Sequence, residues 1–95
     1  LSLFQYSCHK LSNMLHYCIM ATVKVAFANI LKHLRKQRNV NQEKFGEMVG
    51  LHRTYISQLE RGLKSPSLDV LYNIARSLNI KLSGLMNLVE RELEK

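Results

Sequence analysis

This chain of 95 residues has few structure breakers, with one proline and four glycines. A β-sandwich needs turn signals at short intervals, so this scarcity excludes it and suits a helical bundle. Acidic residues are also few. Seven Asp and Glu stand against 14 Lys and Arg, giving a formal charge of +7 and a pI near 9.7. That balance points to a polyanionic partner, nucleic acid or an anionic membrane surface, without choosing between them.

Cysteine is limited to Cys8 and Cys18, with His9 and His16 nearby. Adjacent Cys and His do not match a structural zinc spacing, so the expectation is reduced thiols and no metal or other cofactor. Lys10, His16 and Lys24 interrupt the apolar runs, which excludes a transmembrane helix. Ala26-Phe27-Ala28 resembles a signal-peptidase site, but Lys24 falls where the apolar region should run, and the pattern continues into a helix. A cytoplasmic protein is expected. There is no nucleophile elbow, phosphate-cradling glycine loop or carboxylate pair, so binding is expected rather than catalysis.

Residues 1–20 carry no clear period and read as an irregular or accessory extension, with Leu11, Leu15 and Ile19 spaced to allow a short helix. Residues 21–95 read as one domain. Phe27, Ile30, Leu31 and Leu34 fall on one helical face, which predicts a helix ending near Asn39. Asn41 is a good N-cap for a short helix from Gln42 to Val49, and Gly50 suits its exit. Gly46 inside that helix implies that another helix backbone comes close. A third helix starts near His52 and stops at Gly62. Pro66 and Ser67 signal a fourth, with Leu68, Leu71, Ile74, Ala75 and Leu78 expected inside. The fifth starts near Leu82 and carries Leu85, Met86, Val89 and Leu93, with Leu88 widening its apolar face. Met14, Met20, Met48 and Met86 read as packing residues.

Two short helices joined by a glycine turn make a helix-turn-helix, so an all-α fold of five helices is expected. Ile56 and Leu59 would anchor the third helix, while Arg53, Thr54, Ser57 and Arg61 point outward, with Gln58 at their margin. QEKFGEMVGLHRTYISQLERG, followed by SPSLDVLYNIARSLNI, resembles the phage-repressor-type (XRE) helix-turn-helix family, over about residues 30–86. Within it, LHRTYISQLERG is especially similar to the small controller proteins of restriction–modification systems.

The resemblance implies a five-helix repressor-like DNA-binding domain, and roles for its residues. Arg53, Thr54, Ser57 and Gln58 would face base edges in the major groove. Gln42 and the free N–H groups beside it would hold a phosphate, and Lys64 and Ser65 would clamp the opposite backbone. Tyr55 would lie toward the groove wall or complete the core, and His52 would cap its helix or sit beside a phosphate. Lys36 and Arg38 are further phosphate candidates. Arg35 and Glu60 correspond to a family ion pair linking the first and third helices. The outer edge of the fifth helix, Leu85, Met86, Leu88 and Val89, is the expected homodimer surface. A dimer would suit a palindromic operator with half-sites roughly 34–36 Å apart. The function implied is a sequence-specific dimeric transcription regulator of a restriction–modification operon and its own promoter. The alternatives are a phage or plasmid repressor, an antitoxin, or a basic protein bound to a membrane surface.

Overall fold

The computed structural model describes residues 13–95, and side chains from residue 22 onward. Cys8 lies outside the described residues, as do the side chains of His16 and Cys18. Five helices form and no strand is present among the described residues. They are α1 (Asn13–Gln37), α2 (Gln42–Val49), α3 (Arg53–Glu60), α4 (Leu68–Ser77) and α5 (Leu82–Leu93). No described helix is long and apolar enough to cross a membrane.

Helix α1 runs unbroken across residues 20 and 21, where the sequence pattern changes. From Ala26 on it buries Ala26, Phe27, Ala28, Leu31 and Leu34. Arg35 and Lys36 in its last turn complement the helix dipole. Asn39 then adopts φ +54°, a left-handed conformation that asparagine tolerates, and the chain reverses.

Local capping starts the next three helices. Asn41 Oδ1 accepts from the Lys44 N–H at 2.8 Å, His52 Nδ1 from Thr54 at 3.0 Å, and Ser67 Oγ from Val70 at 3.1 Å. Each bond satisfies an N–H that would otherwise have no partner in its helix. Between α2 and α3, Gly50 takes φ +73° and the Leu51 N–H closes onto the Gly46 carbonyl at 2.8 Å. Backbone does come close to Gly46, as its position suggested. A Cβ there would strike the Leu51 carbonyl oxygen of the turn and lie 3.5 Å from the Arg53 nitrogen at the start of α3.

One core joins the helices. Leu31 of α1, Phe45 of α2, Ile56 and Leu59 of α3, Ile74 of α4 and Leu85 of α5 are all fully shielded from solvent. Helix α1 packs on both α5 and α3, while α4 packs on α5 and α2. Three expectations fail here. Leu68, placed inside by its spacing, is 70% exposed, and Val70 is the first-turn residue of α4 that packs against the core. Met48 is also exposed. Leu85 and Val89, assigned to a dimer surface, are buried within the monomer, where α1 covers them.

Candidate nucleic-acid interface

Helix α3 has eight residues, so anything it presents outward depends on what holds it from behind. Ile56 and Leu59 anchor it in the core, and Tyr55 packs at the core edge, half-buried. On the other side Arg53 and Thr54 are exposed, and Ser57 and Gln58 are partly so. Arg61 follows with its Nε 3.4 Å from the Ser57 carbonyl. The four expected base-reading side chains therefore share an accessible face.

A buried carboxylate sets the orientation of that face. The side chain of Glu60, the last residue of α3, is only 1% exposed. Arg35 grips it with two donors, Nε to Oε2 at 2.7 Å and Nη2 to Oε1 at 3.1 Å. Gln42 Nε2 donates to the same Oε1 at 3.1 Å, and Arg35 Nη1 donates to the Val40 carbonyl at 2.9 Å. The network joins α1, the following turn, the start of α2 and the end of α3. Its hydrogen bond to Glu60 holds the Arg35 guanidinium above its ordinary range, against the opposing effect of burial.

Two backbone-contact candidates have other work. The Gln42 amide donates to Glu60, so it steadies the network instead of reaching outward. The neighbouring backbone N–H groups, at the start of α2, lack partners within the helix. Arg38 is also engaged. Its Nη1 donates to the Leu34 carbonyl at 3.1 Å and its Nη2 to the Leu78 carbonyl at 3.2 Å, tying the ends of α1 and α4 together. Lys36, Lys64 and Ser65 are exposed. His52 is exposed too, and an imidazole that accepts at Nδ1 keeps Nε2–H as a donor.

Arg53 lies at one end of an open recess of about 360 Å³ that it shares with Arg35, Asn41, Gln42 and Glu43. Glu43 and Arg53 also line a second depression, with Gly46 and His52. The sequence position of Glu43 marked it only as a favourable first-turn charge. The fold brings it alongside Arg53, where a carboxylate can accept from a base amino group or restrain the guanidinium.

A turn of this shape, with a small exposed helix backed by two apolar anchors, matches the helix-turn-helix family model over residues 31–85. The chain belongs to the phage-repressor-type helix-turn-helix family. Its relatives within that family include control proteins. C.MunI from a Mycoplasma species is 40% identical over 74 residues, covering 77% of this chain and 100% of the relative. C.BamHI from Bacillus amyloliquefaciens is 33% identical over 66 residues, 68% and 82% of the two chains. Among solved helix-turn-helix structures, the restriction–modification controller C.AhdI from Aeromonas hydrophila superposes with a TM-score of 0.63 at 31% identity, covering 68% of this chain and 94% of that one. The controller C.Esp1396I, solved as a tetramer with its natural 35 base-pair operator, gives a TM-score of 0.70 at 23% identity, covering 77% and 96%. The second likeness concerns the fold.

Proposed function

We propose that this helix-turn-helix protein is a sequence-specific, dimeric regulator that binds double-stranded DNA, acts in the cytoplasm and controls a restriction–modification operon together with its own promoter. One observation carries the proposal. The exposed face of α3 presents Arg53, Thr54, Ser57 and Gln58 together, while Glu60 on the same helix is locked from behind by Arg35 and Gln42. The similarity to control proteins over most of the chain supports the operon.

Each side chain then has a task. Arg53 pairs with guanine through two parallel hydrogen bonds, and Thr54 meets a thymine methyl or a base acceptor. Ser57 and Gln58 read the adjoining positions. The N–H groups at the start of α2, with the His52 Nε2–H, take a phosphate on one side. Lys64 and Ser65 take one on the other, and Lys36 contributes from α1. Tyr55 fills the core edge and thereby fixes how deep α3 enters the groove. The protein acts by occupying DNA, and none of its side chains is assigned to catalysis.

Selection of bound fragments from a random duplex pool, followed by footprinting, tests this. The expected product is a palindrome whose half-sites are one helical turn or a multiple apart. A pool that shows no enrichment refutes the proposal.

A further inference from the structure

A cleft of about 320 Å³ opens where α1, the loop before α4, α4 and α5 converge, and no residue of α3 lines it. The buried Phe27 and Val89 mark its inner end, and Val23, 42% exposed, marks its outer end. Leu71, Met86 and Pro66 complete the apolar walls. Lys24 and Ser65 are its only polar lining residues, and neither side chain makes a hydrogen bond or ion pair with a described residue.

We propose that this cleft binds a small carboxylic acid with an unbranched apolar tail, and that the bound acid acts on the loop carrying Lys64 and Ser65. The binding stands by itself, and only the action on DNA rests on the proposed function.

Size decides against a larger guest. The cleft lies at the low end of the range of about 300–1,000 Å³ for small-molecule sites. A helix, about 10–12 Å across with its side chains, does not fit inside it. Six of the eight lining residues are apolar, so a sugar or a nucleotide would lose its water without gaining partners. An apolar tail gains from the same walls.

Charge then chooses the head. An alcohol gains a neutral hydrogen bond from Ser65, whereas a carboxylate also accepts a charge-assisted one from Lys24. An ammonium head would meet Lys24 as a like charge. A carboxylate held at Ser65 occupies the hydroxyl expected on a DNA phosphate and sets a negative charge one residue from Lys64. Acid and DNA should therefore each weaken the binding of the other, by the same factor.

Calorimetric titration of the full chain with hexanoate, heptanoate and octanoate, each below its micelle concentration, tests the binding. Each added methylene should tighten it about fourfold until the cleft is full. Lys24→Gln should weaken octanoate about tenfold and leave octanol nearly unchanged. Val23→Trp sets an indole across the outer end and should abolish binding. Neither residue belongs to the core, so the helical circular dichroism of both variants should match wild type. Saturating octanoate should lower the affinity of the wild-type chain for duplex DNA several-fold, and that of Lys24→Gln much less.

A chain that binds no octanoate at millimolar concentration overturns the proposal. So does an affinity that ignores tail length, one indifferent to Lys24→Gln, or one that survives Val23→Trp. Octanoate that binds as expected but leaves the affinity for DNA unchanged overturns the action on the loop. A chain that binds octanoate but no duplex fails the functional proposal and leaves the acid site standing.

Discussion

Arg35 and Glu60 are 25 positions apart in sequence, yet Arg35 Nε sits 2.7 Å from Glu60 Oε2 and a second nitrogen of the same guanidinium holds Oε1. With the Glu60 side chain 1% exposed, removing the arginine leaves a buried carboxylate with Gln42 as its remaining donor. Arg35→Ala should cost about 3–5 kcal/mol, the range for breaking a buried pair from one side. Arg35→Met with Glu60→Leu should cost less than Arg35→Ala, because no charge is then stranded. Urea denaturation of both variants checks this.

Arg53→Ala touches only the exposed face of α3. It should leave the melting temperature near that of wild type and lose discrimination by about 1–3 kcal/mol at the base it reads. Competition between operator and random duplex measures the loss. Unchanged preference would mean that the reading face lies elsewhere.

Lys64→Ala should behave differently. It should weaken operator and random duplex alike and reduce the salt slope of binding by about one. A titration of binding against salt separates it from Arg53→Ala.

Gly46→Ala places a methyl on the Leu51 carbonyl oxygen, which belongs to backbone and cannot swing aside. Alanine is worth about 1 kcal/mol more than glycine inside a helix. The collision should reverse that gain and destabilise the domain by about 1–3 kcal/mol, as overpacking does. A thermal melt more stable than wild type would show that the turn moves freely.

Glu92 gives a pH signature. Hydrogen bonds from Lys95 and then from Asn29 hold its carboxyl below the ordinary carboxylate range. A depressed folded-state pKa contributes stability above the unfolded pKa, and that contribution fades as pH falls through the folded value. Thermal melts from neutral to acid pH should show less acid sensitivity in Glu92→Gln than in wild type.

The sequence made the caps legible, because Asn41, His52 and Ser67 act on N–H groups two or three residues away. The exposed side of α3 was legible for a similar reason, since a short amphipathic helix leaves little choice of face. Readings that depended on a neighbour were harder. Leu85 and Val89 form an apolar stripe that could serve a partner or the chain's own core, and only the position of α1 decides. Leu68 fits the α4 periodicity, but spacing does not say where the covering helices stop. Gln42 and Arg38 carry donors that suit phosphate, but each has an acceptor far along the chain, 18 positions away for Gln42 and 40 for one nitrogen of Arg38.

The Asn73 side-chain amide, next to Tyr72, donates to the Val49 carbonyl at 2.7 Å, at the end of α2. The bond fastens the exit of α2 to α4, so the turn that carries α3 is braced from outside the reading unit. Spelling and mounting are thus written on different helices. Substitutions on α3 would alter which letters are preferred, and Asn73→Ala would loosen the mount while leaving the letters the same.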